Sequence, residues 1–68
     1  MANTWMETGK LVYRGQQWVY NFITYQGAKA HANLMNEASY QFEYRVEQGA
    51  DGFYYIAIYD HGKFWTYH

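Results

Sequence analysis

The sequence predicts an α+β fold: a single antiparallel sheet of four to five strands with one helix packed on one face, in the order β-β-α-β-β-β. Two observations carry most of this. Tyr40, Phe42, Tyr44 and Val46 alternate with Gln41, Glu43, Arg45 and Glu47, the pattern of a half-buried strand whose side chains point to opposite faces in turn. Two further apolar runs, Phe53–Tyr59 and Phe64–Tyr67, follow across glycine-containing turns, as in a meander of hairpins. A third observation is the alanine-rich segment before them, the one stretch with helical spacing.

Taken in order, Trp5 and Met6 in the opening segment stand where an edge strand or a cap on the core would start. Lys10–Arg14 and Gln17–Tyr25 read as strands joined at Gly15-Gln16, and glycine at the first central position suits a type II′ turn. That register sets Tyr13 opposite Trp18 and Leu11 opposite Tyr20. Leu11, Tyr13, Trp18, Tyr20 and Phe22 then share one face, and Lys10, Val12, Arg14, Val19 and Asn21 the other.

Gln26–Asn36 reads as the helix, with Thr24 or Gln26 as its N-cap and Asn36–Ser39 as its end. Ala28, His31, Ala32, Leu34, Met35 and Ala38 fall on one broad face, and Lys29, Asn33, Asn36 and Glu37 on the other. Small alanines let such a helix lie close to a sheet carrying large rings. A loop over Gln48–Gly52 places Val46 opposite Tyr54, Tyr44 opposite Ile56 and Phe42 opposite Ile58. The His61-Gly62 turn places Ile58 opposite Trp65 and Ile56 opposite Tyr67. All of these face the helix. The reverse face carries Glu43, Arg45, Glu47, Phe53, Tyr55, Ala57, Tyr59 and Phe64.

With 68 residues the chain allows one small domain over its whole length. Aromatic residues make up 24% of it, enough ring area to build a core in so short a chain. There is no cysteine, hence neither a disulfide nor a thiolate metal site. A net charge of −1 argues against a general electrostatic grip on nucleic acid. No run approaches the ~20 apolar residues of a membrane span, and no signal peptide is evident. The expectation is a soluble intracellular protein.

The pattern offers little chemistry. His31 among alanines reads as a core histidine bonded to a tyrosine, His61 as a turn residue and His68 as a fraying end. Asp60 and Lys63 flank the last turn as an exposed cross-strand pair. Ser39 reads as a helix-end residue with no partner base. Gly49 and Gly52 join strands and open no helix, so they form no phosphate loop. No catalytic, cofactor-binding or metal-ligating residue is assigned, and no enzyme activity is expected.

The outer sheet face asks for a function. One short helix leaves it uncovered, so Phe53, Tyr55, Tyr59 and Phe64 with Arg45 are expected to form an exposed partner-binding patch, the composition that protein hot spots favour. The plain alternative is that tyrosines simply suit the wet face of a strand.

From Ala28 onward the chain resembles small phage anti-CRISPR proteins of β-β-α-β-β-β fold that act on type I surveillance complexes. The resemblance lies in Ala28-Lys29 with Ala32, in Arg45-Val46-Glu47, in Asp51-Gly52-Phe53-Tyr54, and in Gly62-Lys63 with Trp65. It implies an inhibitor, acting in the cytoplasm of a bacterial host, that occupies a nucleic-acid-binding surface of a host protein complex without catalysis. Two other readings stand beside it. In one, a single-stranded nucleic-acid module stacks bases on Phe53, Tyr55 and Arg45 and meets phosphates with Lys10, Arg14 and Lys63. In the other, a structural homodimer buries the outer faces against each other.

Overall fold

A computed structural model describes residues 9–68; the reading of Trp5 and Met6 lies outside the described residues. The elements run β1 (Lys10–Arg14), β2 (Gln17–Asn21), α1 (Tyr25–Ala38), β3 (Phe42–Gln48), β4 (Tyr54–Asp60) and β5 (Lys63–Tyr67). This is the expected β-β-α-β-β-β order of an α+β protein. The strands form two antiparallel sheets, however: a two-stranded ribbon β1-β2 and a three-stranded sheet β3-β4-β5, rather than one sheet.

The ribbon register matches expectation, with Leu11 opposite Tyr20 and Tyr13 opposite Trp18. Its turn does not. Both Gly15 and Gln16 have positive φ, 60° and 68°, which is the type I′ form. That form matches the right-handed twist of the flanking strands, and Gln16 accepts the left-handed backbone. His61 and Gly62 repeat the arrangement, at 54° and 83°.

The helix begins where Thr24 caps it, its hydroxyl accepting the Gly27 N–H at 3.0 Å. It runs to Ala38, two residues past the expected end. Ser39 then closes the turn, its Oγ accepting the Phe42 N–H at 3.0 Å. Tyr40, expected in a strand, is consequently left fully exposed outside it. The buried residues of the helix are Gly27, Ala28 and Ala32, with His31, Met35 and Asn36 half-buried. Leu34 is 66% exposed and does not join them.

Asn36, expected on the polar side, instead binds the outer edge of β3. Its amide donates to the Tyr44 carbonyl at 3.0 Å and accepts the Tyr44 N–H at 2.7 Å. One side chain thus stands in for a neighbouring strand at an open edge.

The β3–β4 hairpin pairs Val46 with Ile56, Tyr44 with Ile58 and Phe42 with Asp60. The register differs by two residues from the expected one, because Gln48 pairs with Tyr54 and the loop sits one residue later. A shift of two preserves every face. Between β4 and β5 the pairing slips at a bulge, from Tyr59 opposite Phe64 to Ile58 opposite Thr66 and Ala57 opposite Tyr67. This overturns the expected Ile58–Trp65 and Ile56–Tyr67 pairs. The extra residue leaves both Phe64 and Tyr67 on the outer face, where an unbroken strand would have separated them.

Helix α1 packs on β3 and β4. Phe22, Ala28, Ala32 and Ile56 are the buried core, with Tyr20, Tyr44, Val46 and Tyr54 against it. The ribbon joins β4 through paired bonds of 2.9 Å between Phe22 and Tyr54. From there it curls over the outer face, so that one end of β4 is covered on both sides. Tyr55, Ile56, Ala57 and Ile58 are all buried in consequence.

Candidate functional site

The ribbon covers only part of the outer face. What remains open is built on β3, β4 and β5. Glu43, Arg45 and Glu47 alternate outward along β3, since Tyr44 and Val46 turn in to the helix. Across from Glu43 lies Tyr59, and across from Tyr59 lies Phe64. The Arg45 guanidinium sits 3.9 Å from the centroid of the Tyr59 ring and donates to Glu43 Oε1 at 3.0 Å. Tyr59 meets Phe64 edge-on at 5.9 Å, and Phe64 meets Tyr67 at 5.1 Å. The Tyr67 hydroxyl donates to Glu47 at 2.9 Å.

These contacts orient the surface. The hydrogen bond between Arg45 and Glu43 holds the carboxyl below its usual range and the guanidinium above its own. The bond to Glu47, and then burial, pushes the Tyr67 phenol up. One guanidinium and two acidic side chains of β3 therefore share this surface with the rings.

Of the residues expected in the patch, Arg45, Tyr59 and Phe64 come together here. Tyr55 does not: it is 2% exposed. Arg14 of the ribbon lies 4.0 Å over its ring, its hydroxyl donates to Asp51 and accepts from Asn21, and burial is the main cause that raises its pKa. The premise that the helix alone covers the sheet is what fails, because the ribbon covers this end. Phe53 is exposed but precedes β4, six residues from Tyr59 and so roughly 20 Å away along the strand.

The structure adds residues that the sequence reading did not select. Tyr67 joins the patch through the bulge. Beside it, a groove of about 360 Å³ runs between the ribbon and β5, lined by Arg14, Gln17, Val19 and the Phe64–Tyr67 segment. Gln17 spans it, its amide donating to Thr66 Oγ1 and to the Tyr67 carbonyl, both at 3.3 Å. Separately, Leu11, Tyr13 and Trp18 are exposed on the ribbon, with Tyr13 and Trp18 edge-on at 5.2 Å. Their shared face was legible from the hairpin register; its exposure was not.

The histidines and Asp60 bond to one another. Asp60 and Lys63 stand opposite each other across the last turn, as expected, but the Asp60 carboxylate bonds to His61 Nδ1 at 2.6 Å rather than to Lys63. No hydroxyl hydrogen-bonds to that His–Asp pair among the described residues. Nor, among them, is any group of three or more His, Cys, Asp or Glu placed to hold a metal. His31 is hydrogen-bonded, but to His68 rather than to a tyrosine, and His68 is docked instead of fraying.

Comparison with protein-family models, with curated proteins and with solved structures finds no match to this chain. No helix in the described residues is long and apolar enough to cross a membrane.

Proposed function

We propose that this is a small non-enzymatic binding protein that presses the open part of its outer sheet face, Arg45, Tyr59, Phe64 and Tyr67, against a protein partner. The observation that carries the reading is the assembly of these rings around an arginine already oriented by Glu43. Aromatic rings and arginine supply most hot-spot energy at protein interfaces, and pre-ordered side chains lose little entropy on binding.

Two features favour protein over single-stranded nucleic acid. Glu43 and Glu47 lie on the same surface and would repel phosphates. Arg14 already occupies a face of Tyr55 that a base would need. The resemblance from Ala28 onward gives the proposal its specific form: an anti-CRISPR-like inhibitor that covers a nucleic-acid-binding surface of a bacterial host complex, in the host cytoplasm.

The test uses the intact protein as bait against its host's proteins, followed by a DNA-binding assay on whatever complex is held. Specific capture, with DNA binding blocked, is expected. Recovery of free protein alone, tight oligonucleotide binding at low salt, or a concentration-dependent homodimer that buries this face would each replace the proposal.

A further inference from the structure

His68 sits where the ribbon, the helix and the three-stranded sheet meet. Its N–H donates to the Ile56 carbonyl at 2.9 Å, and its carbonyl accepts the Tyr20 N–H at 2.8 Å. Beside the Phe22–Tyr54 pair, these are the backbone bonds that tie ribbon to sheet. The His68 ring lies 5.0 Å from Tyr20, 5.1 Å from His31 and 6.0 Å from Tyr44. His31, on α1, is in turn 5.4 Å from Phe22. The two imidazoles meet through Nε2 atoms 3.1 Å apart.

A bond between two neutral imidazoles needs one Nε2 protonated and the other bare. A first added proton can go to Nδ1 of the donor ring and leave the bond intact. A second must go to the accepting Nε2. Two N–H groups then face each other across 3.1 Å, with like charges in a half-buried aromatic surround.

Among the described residues, no acidic side chain hydrogen-bonds or ion-pairs with either ring. On α1, Lys29 and Glu37 make no hydrogen bond or ion pair with either ring. Glu43, Arg45 and Glu47 of β3 point to the opposite face from Tyr44. Asp60 of β4 is held by His61, Lys63 lies at the far end of β5, and Arg14 of β1 lies over Tyr55. Lys10 of β1 lies on the ribbon face away from Tyr20, and β2 carries no charged residue.

We infer that the His31–His68 pair is an acid-sensitive latch: neutral or singly protonated it clamps the ribbon to helix and sheet, and doubly protonated it releases His68 and frees the ribbon. Burial lowers the pKa of both rings, and His31 lowers that of His68 further. The freed state therefore binds more protons than the clamped one. The clamp is at full strength above the ordinary imidazole value and weakens as pH falls below it. Release uncovers Val19 and Tyr55.

The test follows imidazole titration and backbone amide exchange by NMR in the intact chain. Protection of the Tyr20 and Phe22 amides, corrected for intrinsic exchange, should fall at least about tenfold between about pH 7.5 and about pH 5, in step with the two imidazoles. A double His31→Phe/His68→Phe variant should lose that dependence, and His61→Gln should keep it. Unchanged protection in the wild type, or a pH dependence that persists in the double variant or vanishes in His61→Gln, overturns the latch. Should the double variant not fold, the wild type decides alone: rings that titrate at the ordinary value without loss of protection overturn it as well.

Discussion

Tyr55 shows how a single side chain changes meaning with its surroundings. By alternation it belongs to the outer face, and as an exposed ring it would have little packing to lose. Lying under Arg14 and bonded to Asp51 and Asn21, it behaves as a core residue on the second covered side of β4. Tyr55→Ala should therefore cost about 3–5 kcal/mol of unfolding free energy, as for a buried ring, much as Ile56→Ala should cost about 2–5 from the helix side. Tyr55→Phe, which removes only the hydroxyl, should cost about 1 kcal/mol. Urea melts of the three variants check this; a Tyr55→Ala protein as stable as wild type would return the ring to the surface. Gly49 belongs to the same contact, since a Cβ there would stand 2.7 Å from the Tyr55 ring and 2.9 Å from Asp51.

Among the elements, the helix is held by small residues and one amide. Ala28 and Ala32 are flush against Phe22 and Ile56, so Ala32→Trp should destabilise by about 1–3 kcal/mol or more through overpacking; an unchanged melting temperature would mean that a different helix face is buried. Asn36 satisfies both backbone groups of Tyr44 at the β3 edge. Asn36→Ala leaves that pair to water and should cost about 1–3 kcal/mol. The same variant reopens the edge for pairing with another chain, so sedimentation should show more self-association than in wild type.

At the scale of the whole molecule, stability and binding should separate cleanly. Arg45→Ala and Phe64→Ala remove exposed groups and should leave the melt nearly unchanged, while each weakens capture of a protein partner by about 1–2 kcal/mol. Wild-type affinity in both would move the interface to the Leu11, Tyr13 and Trp18 face or to the polar side of the helix. Acid should act on the molecule in two ranges. The His31–His68 pair loses its contribution first, below the ordinary imidazole value. Asp51, whose carboxyl is held below its usual range chiefly by the Tyr55 hydroxyl, contributes stability that is present above the unfolded carboxylate value and lost as pH falls through its lower folded value. A melting series that declines in a single step within the carboxylate range alone would remove the histidine contribution.

Local pattern alone determines most of the architecture here. The period-two alternation of β3, the alanine spacing of α1 with Thr24 before it, and the glycine turns specify order, element type and the face of nearly every strand residue. Even the shifted β3–β4 register left those faces intact, because strand faces depend only on parity. Arg45, Tyr59 and Phe64 were legible as a surface group for the same reason. Tertiary structure alone decided where the ribbon folds back, and with it the burial of Tyr55, the exposure of Trp18 and the docking of His68. One local sign of that cover exists: β4 reads Tyr54-Tyr55-Ile56-Ala57-Ile58-Tyr59, apolar without alternation, as a strand covered on both faces does, whereas β3 alternates. The sign tells that something covers the second face, not what. The cover comes from residues more than thirty positions earlier, and the bulge that brings Tyr67 to the surface arises only when β5 pairs with β4. Contacts between distant segments depend on how whole elements twist and dock, which no local periodicity encodes.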